Sequence, residues 1–500
     1  MKINKIILTL LALLLMQSVF SQTFNGFALY NNQNSNTAYL IDKDGMIAHS
    51  WSCDLAANYT VLLKENGNIM RGGVKSNNSL NGPAASGIIQ EIDPNGDVVW
   101  EFVYSSSAHC SHHDIALMSN GNVLLTAWEV KSGSEMIQAG WSGQYSEKWP
   151  THFVEVQQNG TGGEIVWEWH MWDHMIQDHD ASKDNYGVVE DHPELMDINA
   201  VSSNDKPGGD NDWYHVNGVN YNEALDQIVF TSRNASELFI LDHSTTIEES
   251  ASHSGGNAGM GGDFLYRWGN PANYGSNGTQ TIPAAVHDPQ WIKEGRPNSG
   301  YLQFFNNKGG GSNQSTVDAI NPPLDGFNYT LDGSSFLPLS YDWRHSCLAF
   351  SDGQSAHDRM SNGNTFVCVS GKYMYEVDSL DNTVWMYNAD PAKAARYECD
   401  YPGIIQLLGD DPCGTVGVEN FTENNVSISP NPSTGIFTIS GIPSEVSSYI
   451  VTIFDIYGNR ILEESDAQRI NLSHYQNGVY MVYILADNNE IIVKKLLLAK

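Results

Sequence analysis

The sequence predicts an all-β chain, a six-bladed β-propeller followed by a small Ig-like β-sandwich. Three observations carry that prediction: a turn-rich composition, a two-hairpin unit that recurs about six times, and a change of texture near residue 419. Only 17% of the 500 residues are charged, while aromatics reach 11% and Gly numbers 45. That is the balance of short twisted strands joined by tight turns rather than of long helices. The length suits one large repeat-built domain plus a small one.

The unit contains a short apolar strand ending in Ile/Val-Asp, a polar turn, and a second strand rich in Trp or other aromatics. Copies are YLIDKDGMIAHSW from Tyr39 to Trp51, IQEIDPNGDVVWEF ending at Phe102, and FVEVQQNGTGGEIVWEW ending at Trp169. LFILDHS from Leu238, leading into GGDFLYRWGN, a weaker VDAINPPLDG from Val317, and MYEVDSLDNTVWMY from Met374 to Tyr387 complete the set. Between them runs a second hairpin with a polar turn, mostly Asn-Gly: YTVLLKENGNIM, HHDIALMSNGNVLL, HVNGVNYNEALDQIVF and AHDRMSNGNTFVCV. Four strands in roughly 40 to 50 residues is the size of a propeller blade. A single blade cannot bury both faces of its sheet, so the copies must pack around an axis and the ring must close. This domain is placed at residues 22–418. The acidic turns DKDG and DPNGD resemble calcium loops only loosely and read as strand-linking turns.

The chain begins with Lys2 and Lys5, an apolar run, and small residues up to Ser21, which reads as a secretory signal over residues 1–21. Its core from Ile6 to Met16 is shorter than the roughly 20 apolar residues a spanning helix needs, and no later stretch qualifies, so no transmembrane segment is expected. None of the six cysteines forms a C-x-x-C pair. In an exported chain the closely spaced Cys399 and Cys413 suit a short disulfide loop, while spacing leaves the overall connectivity open. Lys plus Arg at 25 against Asp plus Glu at 58 give a net charge of −33. Such a field repels phosphate backbones and argues against nucleic acid as a partner.

Residues 424–500 are short alternating strands without the Trp-bearing pattern, and read as a separate sandwich. SPNPSTGIF at Ser429 to Phe437, FDIYGNRI at Phe454 to Ile461, NGVYMV at Asn477 to Val482 and the final KKLLLAK resemble the type A sorting domain of the type IX secretion system of Bacteroidetes. The resemblance implies export through the periplasm by that machinery, to the medium or the cell surface. The competing reading is a structural or carbohydrate-binding sandwich.

The innermost strands of a propeller converge on its axis. Seven residues before the turn Asn stand Tyr59 (before Asn66), His113 (Asn120), His215 (Asn222) and Ser355 (Asn362), and His287 in VHDPQW begins the corresponding strand of another repeat. Three imidazoles facing one volume suit either a hydrolytic zinc centre or a site for a tetrahedral sulfate or phosphate, joined by Arg233 of FTSRN. Arg233 favours the anion, because a fixed cation beside a divalent metal is unfavourable. An unprotonated histidine can then serve as nucleophile. No metal and no cofactor are expected.

HHDIALMSNGNVL, VWEWHMWDHMIQDHD, DWYHVNGVNYNEALDQIVFTSRNASELFILDHS, GGDFLYRWGNP, VHDPQW and SNGNTFVC, spanning about residues 25 to 410, resemble the bacterial aryl-sulfate sulfotransferases. By that resemblance His287 is the nucleophile that carries the sulfuryl group as a sulfohistidine. Arg233, His215 and Asn217 bind the sulfate oxygens, and His113 rather than His112 completes the pocket as acid or base. The implied donor is an aryl sulfate, the acceptor a phenol, and no nucleotide sulfate donor takes part. The sequence departs from the family pattern at Ala285-Val286 before the nucleophile, and at His357-Asp358, to which no role is given. His170, His174 and His179 are read as part of a short inserted helix or lid rather than as metal ligands. Tyr214, Trp172 and Trp291 are candidates for stacking on an aryl ring, although most of the 13 Trp are expected in the core. Two other classes remain: a metal-dependent hydrolase or lactonase on the same scaffold, and a glycan-binding surface adhesin.

Overall fold

The computed structural model describes residues 23–144, 146–201, 211–413, 426–442, 446–455, 460–486 and 491–500. The expected signal at residues 1–21 lies outside them. The chain is all-β, with 46% strand and 6% helix, and divides into two compact units, Met1–Cys413 and Gly414–Lys500.

Six four-stranded antiparallel sheets, with three two-stranded ones, are described in the first unit. Four are built from consecutive strands, those opening with Ala57–Leu63, His109–Leu117, Val216–Asn222 and Ala356–Arg359, while the one opening with Val286–Trp291 takes Trp343–Ser346 as its fourth strand after two of the two-stranded sheets. The remaining sheet joins the two ends of the unit, because Gly26–Asn32 pairs with Thr37–Ile41 on one side and with the last long strand, Pro391–Glu398, on the other. Such a closure pairs the first strand of the unit with its last long one.

The repeated residues have defined jobs. Outer-strand tryptophans reach to the following sheet: Trp100 Nε1 donates to the Gly162 carbonyl, Trp169 Nε1 to Gly262, Trp268 Nε1 to Pro338, and Trp385 Nε1 to Lys43. Each of these contacts spends a large apolar ring on the joint and satisfies its polar edge. The Asn-Gly turns are clamped by a buried glutamate in the third strand. Asn66 and Asn68 donate to Glu91, Asn120 and Asn122 to Glu155, and Asn364 to Glu376. The turn aspartates are absorbed locally: the Oδ1 of Asp42, Asp93 and Asp378 each accepts two backbone N–H groups of its own turn. Cys399 and Cys413 form a disulfide, with Cα atoms 5.7 Å apart; Cys53, Cys110, Cys347 and Cys368 are buried free thiols.

In the second unit a three-stranded and a four-stranded antiparallel sheet share one apolar core that includes Phe437, Ile439, Val451, Ile453, Val482 and Leu496.

Candidate active site

The first strands of successive sheets meet side by side. Asn58 donates to the His113 carbonyl (2.9 Å), Val219 N–H to Asp114 (3.2 Å), Asn217 to the Val286 carbonyl (2.9 Å) and Tyr59 to the Ser355 carbonyl (3.0 Å). Gly218 permits one of these approaches, since a Cβ there would lie 2.4 Å from Pro289 Cδ and 2.8 Å from Asp288 N.

Four of these strands carry a register shift at a matching level: Ala57/Val61, Ser111/Ile115, Val216/Gly218 and His287/Gln290. At the same level His113 and His215 hold φ of 49° and Ser355 of 84°. A non-glycine residue in this region costs of order 1–3 kcal/mol and persists only where surrounding structure enforces it. Bulges re-aim side chains next to functional sites, and here they turn imidazoles toward one volume. His287 is offset: its neighbour Asp288 holds the positive φ, at 51°.

His113 and His215 lie edge to face with ring centroids 4.8 Å apart, and Tyr59 closes on His113 at 6.3 Å. His287 and Arg233 share this neighbourhood, since the charges of His215, His287 and Arg233 all act on His113. His112 points the other way, stacked 4.0 Å from Trp128, while its Nδ1 lies 2.8 Å from Nδ1 of His113. Burial, reinforced by Arg233 and the neighbouring imidazoles, holds His113 and His287 well below the usual imidazole range, so both rings are neutral near pH 7.

The ring nitrogens are oriented by their partners. His287 Nδ1 lies 3.0 Å from the Ala285 carbonyl, which assigns the proton to Nδ1 and leaves the lone pair on Nε2. Asp212 Oδ2 holds His215 Nδ1 at 2.6 Å, while its Oδ1 accepts from Trp128 Nε1 at 2.9 Å. Thr231 donates to Asn217 Oδ1 (2.7 Å), so the amide is locked and one of its N–H groups remains after the bond to Val286. Arg233 Nη1 donates to the Asp352 carbonyl (2.7 Å), and the Asp352 carboxylate, 3.8 Å away, is itself paired with Lys308 at 2.8 Å. The histidines are only 3%, 4% and 2% exposed, in the order His113, His215, His287, and the exposed Asp352 loop covers the guanidinium.

Sequence reading brought His113, His215, Asn217, Arg233 and His287 to this place and missed Asp212, Asp352, Lys308 and Lys393. Asp212 had a signal, an acid three residues before His215; the others come from distant loops or strands. One residue farther along the strands, Lys393 bridges Asp114 (2.8 Å) and Asp288 (2.7 Å). Beyond it a cavity of about 430 Å³ opens at the opposite end, lined by Leu117, Asn220, Arg296, His357 and Tyr401. Tyr214 and Trp291 are buried in apolar clusters. His170 pairs with Glu129 and His174 sits in the 3₁₀ turn Met171–His174.

A family model described as Arylsulfotransferase (ASST) matches residues 15–401, and one described as Secretion system C-terminal sorting domain matches residues 427–499. No curated protein matches the chain. Among solved structures, a protein of unknown function from Bacteroides caccae aligns at 11% identity over 74% of this chain and 98% of its own, with a TM-score of 0.41. The Dos1 propeller aligns at 10% over 96% and 94%, with a TM-score of 0.31, and BamB from Moraxella catarrhalis at 10% over 88% and 88%, with a TM-score of 0.27. Scores at this level bear on neither activity nor mechanism. The sorting domain implies that the protein is secreted or held at the cell surface, and no helix among the described residues is long and apolar enough to cross a membrane. With the family model covering most of its length and the imidazole-guanidinium cluster at its centre, this chain belongs to the arylsulfotransferase (ASST) family.

Proposed function

We propose that the protein transfers a sulfuryl group from an aryl sulfate to a phenol, through a sulfohistidine on His287 and without a nucleotide sulfate donor. The observation that carries this reading is the set of groups around His287: a neutral imidazole whose Nδ1 lies 3.0 Å from the Ala285 carbonyl and whose ring also meets the Asn307 side chain, beside Arg233 and His215. In the first half-reaction Nε2 attacks sulfur, an S–N bond forms, and the S–O bond to the aryl group breaks. The leaving phenolate takes a proton from solvent water relayed by His113, whose own ring is neutral. In the second half the acceptor phenol gives its proton to that neutral ring, its oxygen attacks sulfur, and the S–N bond breaks to restore His287. Charge on the sulfate oxygens and on the phenolate is met by Arg233, Asn217 and His215, donors already oriented before the reaction. Substrate entry requires the Asp352 loop to yield Arg233 to the incoming anion.

The same proposal takes the six sheets as six blades, residues 22–418 as the catalytic domain, residues 424–500 as an Ig-like sorting sandwich handled by type IX secretion machinery, and residues 1–21 as a cleaved signal. The test is release of a chromogenic phenol from its sulfate ester, with and without a second phenol and with and without a chelator. Acceptor-dependent release that survives chelation is the expected result. Release lost with the chelator would instead favour metal-dependent hydrolysis, and no release under any condition would favour a binding protein.

A further inference from the structure

The inserted segment after Trp169 and the glycine-rich connection before Tyr266 meet at a cluster that the sulfate site does not use. His174 Nδ1 and His253 Nδ1 approach the same oxygen, Asp263 Oδ1, at 2.7 and 2.8 Å. All three atoms lie within 4.8 Å of one another. His174 and Asp263 are buried, with side chains 0% and 6% exposed, whereas His253 is 62% exposed.

The tautomer of His174 makes this arrangement informative. Its Nε2 lies 2.8 Å from the Ser250 carbonyl, an acceptor with no proton to offer, so a neutral ring keeps its proton on Nε2. Nδ1 then presents a lone pair to a carboxylate oxygen 2.7 Å away, two acceptors facing each other. A proton between the two atoms, on the ring or on the carboxyl, or a cation held between the groups resolves the contact. A carbonyl that fixes one ring nitrogen so that the other faces a cation is the usual outer support of a metal-bound histidine. Further support is rigid: Trp169 stacks on His174 at 5.5 Å with the planes 3° apart and donates its Nε1 to the Gly262 carbonyl. A Cβ at Gly262 would stand 2.6 Å from His174 Nε2.

We propose that His174, His253 and Asp263 bind a divalent transition metal of the zinc type, which ties the insertion to the glycine-rich connection. Two imidazole nitrogens and one carboxylate oxygen suit Zn²⁺. Ligands about 2.0–2.2 Å from a tetrahedral ion stand about 3.3–3.5 Å apart, so the two short separations must open slightly and the long one close. Water supplies the fourth ligand on the exposed side of His253, which also gives the ion a path in. The site shares no residue with the sulfate cluster. Its role is structural, and it revises the expectation of a metal-free chain.

The test is calorimetric titration of chelator-stripped, tag-free protein with ZnCl₂ at pH 7.5, with intrinsic tryptophan fluorescence recorded in parallel. One equivalent is expected to bind, with a fluorescence change from Trp169, and to weaken at acidic pH because protons compete with the ion for the ligand atoms. His253→Ala, at an exposed position that folding does not need, should weaken binding at least about 10-fold. Acceptor-dependent sulfuryl transfer by that variant should persist. Absence of binding by the unaltered protein, or equal binding by His253→Ala, would overturn the proposal in favour of a protonated His174 paired with Asp263.

Discussion

Two polar clusters sit on the same inner strands, and consecutive residues are divided between them. His113 and His287 face the cluster that contains Arg233 and His215, whereas Asp114 and Asp288 close on Lys393. Both clusters are buried, yet their charge balance is opposite. The Lys393 ammonium meets two carboxylates, which hold its pKa above the usual lysine value despite burial. The imidazole end has neutral His113 and His287 and one guanidinium, and its nearby carboxylates are already engaged, Asp212 with His215 and Asp352 with Lys308. Satisfied charges hold strands together; a guanidinium held by one exposed loop, whose carboxylate it shares with Lys308, is the cation an incoming anion can claim.

The sharpest way to break this comparison is His287→Ala. Removing the proposed nucleophile should lower acceptor-dependent transfer by at least about 10⁴-fold and abolish an acid-labile sulfate label on the protein, with little change in melting temperature. Retained turnover would reassign the nucleophile. Lys393→Met tests the other cluster, since it leaves Asp114 and Asp288 buried together without a cation. A loss of about 3–5 kcal/mol in urea unfolding is expected, and Asp114→Asn in the same chain should recover part of it. A Lys393→Met protein as stable as the parent would remove the structural reading of that cluster.

Arg233→Ala should reduce kcat/KM for an aryl sulfate about 10²–10³-fold while leaving urea unfolding nearly unchanged, because among the described residues the guanidinium is held by the exposed Asp352 loop. The smallest effect concerns pH. With His113 and His287 held well below 6.5, the acid limb of kcat/KM should fall below the ordinary imidazole range. A single inflection near 6.5 assigned to His287 would contradict the burial argument. Away from the axis, His243 lies between Asp226 (2.7 Å) and Glu155 (3.0 Å); burial opposes its charge, but the two carboxylates win and raise it to about 9. Its folded value exceeds its unfolded value, so its stabilisation is complete below about 6.5 and lost as pH rises through about 9. His243→Gln should remove that alkaline decline from a plot of melting temperature against pH.

Much of the fold was legible because its signals are local. The Ile-Asp turns, the Asn-Gly turns and the outer Trp strands are each set by residues a few positions apart, and repetition multiplies them. The clamp of Asn122 on Glu155 and the reach of Trp100 to Gly162 were not legible, because each joins segments that pattern alone does not pair. Counting back from turns found His113 and His215 but could not be applied to His287, whose longer turn at GRPNSG breaks the count. His174 was read as part of a lid, because its partner Asp263 is 89 residues away.

The sequence by itself determined the strand and turn content, the separate C-terminal module and the residue types gathered on the inner strands. Those follow from short-range periodicity and from turn chemistry, which hold wherever the chain goes. Tertiary structure alone decided which ring nitrogen carries a proton, which carboxylate is already spent on a cation, and which of His112 and His113 turns inward. Each depends on how close two remote backbones come, and hydrogen bonds and buried charges respond to differences of a few tenths of an ångström.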